Sequence, residues 1–465
     1  MQLNLIRKKI STGCNDAVAT SSYFEFAERV RRPGTALTLA ICIALPACSG
    51  DGSGGGGDAT TPGATISALS AKAQVGKLIF SDQALSASGM QSCATCHVQA
   101  NGFSAADSLS VPMGGPNMNL PGLRNTPSLM YASFTPAFSI ASDGTPSGGF
   151  FRDGRAASLI DQAQMPFLNQ FEMANTSADN VRQRLLTRPY FAQFQGIFGS
   201  SVTTDATQTL AAIGAALAAY EAEGTEFRPF SSKFDAFQNG TATLNADEQQ
   251  GFALFNDPTK GNCTACHVSV GNNGAPPLFT DFTYDNIGIP RNWKIAANAE
   301  DTTLSYVPAN GTALGASYRY YDLGLCGPLR TEYSDKTQHC GQFKVPTLRN
   351  VAVKQHYFHN GVFDNLGDAV TWYATRDTNP GKWYVKADGV TVDVPYNDLP
   401  LNYDANINVA EVPYNPGIAP TLNAGEINQI INFLCTLTDG YDPKNPGTYR
   451  NQAQCMKAAA ASASN

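Results

Sequence analysis

Histidine is scarce in this chain, with five residues in 465, and His97 is the only one before residue 267. Any site in the first half that needs two imidazoles is therefore excluded. Charged residues make up only 15% against 43% hydrophobic, a balance that fits a globular protein with proper cores and is long enough for two or three domains. A basic excess is also missing: the net charge of −7 argues against nucleic acid as a partner and favours attraction of a basic protein. Long apolar runs are absent too. The N-terminal run from Ala36 to Leu45, preceded by Arg29, Arg31 and Arg32, is too short to span a bilayer.

That run reads instead as part of a targeting segment over residues 1–48, ending in Leu45-Pro-Ala-Cys48. The ending resembles a bacterial lipobox, in which Cys48 is lipidated and becomes the mature N-terminus. Pro46 is unusual there, so a plain cleaved signal peptide is the alternative. The expectation is an exported, periplasmic lipoprotein that meets the membrane only through this anchor. Residues 49–65, rich in Gly with Thr and Pro, read as a flexible tether.

What the chain does have is Cys93-Ala-Thr-Cys96-His97 and, later, Cys263-Thr-Ala-Cys266-His267. Two cysteines three apart put both sulfurs on one side of a helical turn, where they can form thioethers to the vinyl groups of a haem. The adjacent histidine then reaches the iron as proximal ligand. The alternative, one four-cysteine zinc site, fails on spacing: the pairs lie about 170 residues apart, and zinc requires no histidine after each pair. Two covalently bound haems c are expected.

Of the 11 cysteines, Cys14 and Cys42 leave with the leader, Cys48 is the lipid site and four hold haem. The even remainder of Cys326, Cys340, Cys435 and Cys455 suggests two disulfides in an oxidising compartment, most economically between neighbours in sequence, although spacing alone does not fix the pairing.

Helical patterning runs from near Ala68 through Phe80 towards the first motif. Residues 102–149, rich in Gly, Pro, Ser and Asn, should be ordered loops. Helices are expected over Asp179–Phe198 and Asp205–Glu223. Capping boxes at Asn245/Glu248 and Asn423/Glu426 should open two more, reaching Phe255 and Leu437. These elements repeat. Gly76-x-x-Ile79-Phe80-Ser-Asp82 before the first motif matches Gly251-x-x-Leu254-Phe255-Asn-Asp257 before the second. Phe151-Arg-Asp-Gly154, with Leu159 following, matches Phe358-His-Asn-Gly361 with Leu366. The fold expected is mainly α: two tandem cytochrome c-like haem domains with long ordered loops, over 66–235 and 240–440, followed by a 441–465 tail.

The repeat also exposes an asymmetry. Twelve residues after Gly154 stands Pro166, and twelve after Gly361 stands Tyr373. A phenol can ligate iron and a proline cannot, so the first haem is expected to be open for chemistry and the second closed for electron storage or transfer.

These motifs, with Arg124-Asn-Thr-Pro-Ser-Leu129, Asp153-Gly-Arg155, Phe171-Glu-Met173, Phe343-Lys-Val-Pro-Thr-Leu-Arg-Asn350 and Tyr357-Phe-His359-Asn-Gly361, resemble the di-haem bacterial cytochrome c peroxidase and MauG family over residues 66–440. The resemblance implies an N-terminal peroxide-reactive haem, a C-terminal low-spin haem and a calcium ion between domains. Asn125 matches the family's calcium-contacting asparagine, with backbone carbonyls from Lys354 and His356; His356 replaces the usual proline. Gln162, Pro166 and Glu172 match the distal pocket, where a carboxylate moves a proton between the two peroxide oxygens.

Three departures refine the resemblance. Met113 stands where classical peroxidases carry a distal histidine on a mobile loop, so reductive activation through that ligand should be absent. Tyr373 places the chain on the MauG side, since classical members use methionine. Arg152 replaces the tryptophan between the haems; guanidinium is no redox relay, and pairing with a haem propionate is expected instead. His359 matches a structural histidine beside the second haem. An insertion over about 296–341, containing His339, is expected to shape a partner surface.

The function implied is reduction of hydrogen peroxide at the His97 haem, with electrons relayed through the His267/Tyr373 haem from a small periplasmic cytochrome c or cupredoxin. One alternative is MauG-like oxidation of Trp or Tyr side chains in a partner protein, and a third, of another class, is a passive electron-transfer cytochrome.

Overall fold

Eleven α-helices, ten short 3-10 helices and three small hairpins make up the regular structure among the described residues. In this computed structural model those residues are 68–106, 109–271, 275–299, 320–414, 419–445 and Cys455. The leader with Cys48, the 49–65 tether, the centre of the insertion at 300–319 and most of the 441–465 tail lie outside the described residues. The described part belongs to one compact unit, Ile66–Asn465, and is mainly α. No helix in it is long and apolar enough to cross a membrane.

The first half is built on α1 (Ala71–Phe80), α2 (Cys93–Cys96), α3 (Leu159–Leu168), α4 (Ala178–Leu186), α5 (Phe191–Phe198) and α6 (Ala206–Glu223). Ser70 caps α1 by accepting from the Ala73 N–H, and Asp205 caps α6 by accepting from Thr207 and Gln208. The second half has α7 (Lys233–Gln238), α8 (Ala246–Asn256), α9 (Leu366–Thr375), α10 (Pro380–Trp383) and α11 (Ala424–Cys435). Both expected capping boxes form. Asn245 and Asn423 each accept from the N–H of the glutamate three residues on, and each glutamate accepts in return. Two-residue antiparallel hairpins pair Met113–Gly114 with Leu120–Pro121, Ser139–Ile140 with Pro146–Ser147, and Tyr284–Asp285 with Phe343–Lys344.

The repeated glycines have a packing reason. A Cβ at Gly76 would lie 2.0 Å from the Ala216 carbonyl oxygen, and one at Gly251 would lie 1.9 Å from that of Gln429. Only glycine lets α1 cross α6, and α8 cross α11, this closely. Around the first crossing Val75, Ile79, Phe80, Ile213, Leu217 and Phe227 form one core; around the second Leu254, Phe255, Ile427, Ile430 and Phe433 form another. The loop repeat carries the same backbone geometry. Phe151 and Gly154 have φ +62° and +66°, and Phe358 and Gly361 have +67° and +63°.

Two expectations need correction. The stretch from Asp179 to Phe198 is two helices, because Pro189 lacks an N–H and disfavours helical geometry in the residue before it. The last helix ends at Cys435, two residues short of Leu437. The insertion also does more than decorate a surface. Asp322 accepts two hydrogen bonds from Arg124 at 2.6 and 2.7 Å, and Arg330 donates to the Asp153 carbonyl at 2.7 Å, so its described part straps the C-terminal half to the N-terminal half. The disulfides are Cys326–Cys340 and Cys435–Cys455, which closes the pairing left open by spacing.

Candidate functional site

Each Cys-x-x-Cys-His motif lines its own cavity. The first is bounded by Cys93, Cys96 and His97 on one side, and by Gln162, Pro166, Phe171, Glu172 and Arg155 from elsewhere in the half. The second is bounded by Cys263, Cys266, His267 and Tyr373. The four motif cysteines are outside any disulfide.

Both cavities fit a c-type haem on the chemistry of their donors. His97 Nδ1 donates to the Phe103 carbonyl at 2.9 Å, and His267 Nδ1 donates to Phe279 at the same distance. Each bond fixes the ring orientation and leaves Nε2 as the basic nitrogen available to a metal, the usual outer partner of a ligating histidine. The two acceptors share a left-handed backbone, with φ +50° and +53°.

Helix α3 supplies the far wall of the first cavity. Ser158 caps it by accepting from the Asp161 N–H, as Asn365 caps α9 through Asp368, so the two helices start in equivalent register. Pro166 and Tyr373 therefore occupy matched positions facing the two cavities. Pro166 also lacks the N–H that would bond the Gln162 carbonyl one turn back. Glu172 sits at the turn after α3, and Asn169 Nδ2 donates to its Oε1 at 2.9 Å. Burial pushes the Glu172 carboxyl up, opposed by the Arg155 charge and the Asn169 bond.

Tyr373 faces the second cavity with Phe358, Trp372 and Tyr414 around its ring, at centroid distances of 5.6, 5.0 and 6.2 Å. Burial, then the nearby cysteines and Asp285, push its phenol up, so ionisation needs a cation at the oxygen.

Arg152 lines both cavities, and its Nε donates to the Asn125 carbonyl at 3.2 Å. Burial, and next the Arg124 charge, pull its guanidinium down to about 10. Lys344 and Lys354 line the second cavity beside it, drawn down to about 8 and about 7, chiefly by burial. Such a buried cation cluster fits the carboxylates of a haem better than an apolar ligand.

His359 stacks on Phe343 at 3.7 Å, and its Nε2 lies 3.3 Å from Asp398 without hydrogen-bond alignment. Its part is packing beside the second cavity. Asn125 is buried, with its amide 3.0 Å from the His356 carbonyl and 3.3 Å from that of Phe358. The Lys354 carbonyl accepts from Tyr357 at 3.4 Å. These are hard, neutral oxygens of the kind calcium takes, provided the Asn125 amide turns its oxygen towards the ion. Met113 lies in the first hairpin and does not line the first cavity.

Sequence reasoning missed several cavity residues. Arg155 and Phe171 lay inside quoted motifs without an assigned part, Asn169 lies just before one, and Glu221 comes from α6. Burial alone pushes Glu221 up to about 8. Nothing in the helical pattern of α6 separates it from the other residues on the packed face.

Two matched cavities, each with a free cysteine pair and one oriented histidine, carry the donor set of a di-haem c-type protein. The comparisons with known proteins narrow this. Residues 70–243 match the family model for di-haem cytochrome c peroxidase. The methylamine utilization protein MauG of Paracoccus denitrificans (strain Pd 1222) is 36% identical over 80% of this chain and 90% of its own length. The cytochrome c551 peroxidase of Nitrosomonas europaea is 30% identical over 64% and 71%. Among solved structures, the diheme peroxidase BthA from Burkholderia thailandensis E264 is 35% identical with a TM-score of 0.69, covering 81% of this chain and 89% of that one. The chain belongs to the di-haem cytochrome c peroxidase and MauG family, and is an oxidoreductase of that family.

Proposed function

We propose that this protein reduces hydrogen peroxide in the first cavity, with electrons entering through the second from a small periplasmic cytochrome c or cupredoxin. The supporting observation is the matched pair Pro166 and Tyr373: the first cavity offers no side-chain ligand at the position where the second offers a phenol. The two halves act as haem domains over 66–235 and 240–440, attached through Cys93, Cys96, Cys263 and Cys266. Bound haem supplies the redox chemistry.

The chain's own part is proton management and positioning. Glu172 accepts the proton of the inner peroxide oxygen and returns it to the outer one, so that the leaving group departs as water. Asn169 holds that carboxyl at Oε1, and Gln162 orients water from α3. Arg155 faces Glu172 and favours its ionised form. Tyr373 would hold the group of the second cavity, where a phenolate oxygen would favour the oxidised metal. Arg152, Lys344 and Lys354 hold propionates, and Asn125 Oδ1 with the Lys354 and His356 carbonyls holds calcium between the halves. Export with a lipid anchor at Cys48 completes this reading.

Ferric-state EPR with and without peroxide tests it. One open and one six-coordinate site, with only the open one responding, is expected; two six-coordinate sites inert to peroxide would mean a passive electron-transfer cytochrome. A second reading, MauG-like oxidation of Trp or Tyr side chains in a partner protein, is favoured by Tyr373. It is weakened by Arg152, which offers no oxidisable ring between the cavities. Mass spectrometry of a co-purified partner after peroxide separates the two.

A further inference from the structure

A line of oxidisable rings leads away from the second cavity. Tyr373 contacts Trp372 at 5.0 Å between ring centroids. Trp372 and Tyr384, both fully buried, pack in one cluster with Trp383 and Ile289. The Trp372 indole N–H lies beside the Tyr384 phenol without completing a hydrogen bond, and Tyr384 instead donates to the Gly288 carbonyl at 2.7 Å. Tyr384 contacts Tyr396 at 5.4 Å, and Tyr396 is part-exposed. Beyond the cavity the series thus runs through two fully buried rings to the part-exposed Tyr396.

The end of this line is built with unusual care. Tyr396 donates its hydroxyl proton to Asp377 Oδ1 at 2.9 Å, and Asp377 is clamped by Arg376 through two bonds of 2.7 Å. The same guanidinium lies over the Tyr414 ring at 3.7 Å and over Tyr396 at 5.3 Å. Tyr396 has φ +61°, a backbone setting that bulky residues rarely adopt. Gly288 leaves room for it: a Cβ there would lie 2.5 Å from the Tyr396 ring.

We propose that Tyr396 is the port through which electrons enter the C-terminal site, passing along Tyr384 and Trp372 to Tyr373. The reductant is a one-electron donor docked at the surface beside Tyr396. This rests on the peroxidase reading above and names its route. In each step Tyr396 gives one electron to the chain of rings and its phenolic proton to Asp377, leaving a neutral phenoxyl. The donor then returns one electron and Asp377 returns the proton. Two such electrons and two protons from solvent reduce one hydrogen peroxide to two waters.

The test uses the haem-loaded protein mixed with peroxide in the absence of donor, read by EPR and by the Soret band together. Wild type with ring-deuterated tyrosine should show a tyrosyl radical narrowed by the label, and Y396F should lose it while keeping the Soret response. Y414F serves as the comparison and should keep the radical. An undiminished tyrosyl signal in Y396F overturns the proposal, as does a signal lost only in Y414F. A wild-type Soret response with no tyrosyl radical overturns it too, leaving the peroxidase reading intact. No Soret response in wild type would overturn the peroxidase reading, and the port with it.

Discussion

The two halves share a helix crossing, a histidine hydrogen-bonded to a left-handed phenylalanine, and a repeated tetrapeptide at the cavity wall. Three of their differences bear on the sites: Pro166 against Tyr373, Arg152 against His359, and Asp153 against Asn360. The scaffold is conserved within the chain because packing requires it. These three fall on residues that face a cavity or that join the halves. One architecture, used twice, thus gives two sites of different character by changing side chains while the backbone stays the same.

The strongest way to break this comparison is Glu172→Gln. The residue matching Glu172 in the second half is Asn379, and the nearby Asp377 in the turn after α9 does not line the second cavity, so the change should act on the first cavity alone. We expect the peroxide reaction to slow by roughly 10²–10⁴-fold, with haem content and the ferric spectrum of the second site unchanged. Stopped-flow absorbance measures both; an unaltered rate would remove Glu172 from proton transfer.

Next in size is Tyr373→Phe, which makes the second cavity resemble the first. Its low-spin ferric EPR signal should convert to a high-spin one, and the protein should then carry two open sites. Retention of the low-spin signal would mean that another side chain closes the second cavity. Phe keeps the ring contacts to Phe358 and Trp372, so loss of folding is not expected.

Gly76→Ala and Gly251→Ala ask whether the shared scaffold is equally tight in both halves. An added Cβ meets backbone oxygen, which cannot move aside like a side chain. Each should cost about 1–3 kcal/mol, measured by urea unfolding. If only one of them destabilises, the two crossings are not energetically equivalent.

Much of this was legible in the sequence because it is local. The cysteine pairs, the capping boxes at Asn245 and Asn423, and the repeated Gly-x-x-apolar-Phe each state their geometry within a few residues. The break at Pro189 was visible in principle, since proline removes a donor, but apolar periodicity on both sides hid it. What could not be read were contacts between distant segments. Asp322, in an insertion without a repeat partner, reaches Arg124 across 198 positions, and Glu221 joins the first cavity from a helix whose pattern shows only packing. The line from Tyr373 to Tyr396 likewise exists only after folding, because α10 and the turn after it return the chain to α9.

The smallest expected effect concerns the third difference. Asp153 is wholly buried and sits between Arg124 at 2.8 Å and Arg155 at 3.0 Å, whereas Asn360 at the matching position donates to Asp398 at 2.9 Å. Although burial alone would raise it, the two guanidinium groups hold the Asp153 carboxyl down at about 2. The unfolded value is about 3.9, so the folded state binds this proton less tightly than the unfolded state does. Its contribution is therefore fully present above about pH 5 and is lost progressively as pH falls through 4 towards 2. The shift corresponds to between about 2 and 3 kcal/mol. Asp153→Asn makes the first tetrapeptide resemble the second and should remove that term. Urea unfolding at pH 6, 5 and 3 should then show a gap between variant and wild type that is constant from 6 to 5 and narrows at 3. A gap unchanged at pH 3 would mean that the variant acts through packing, and that the charge difference between the halves carries no acid sensitivity.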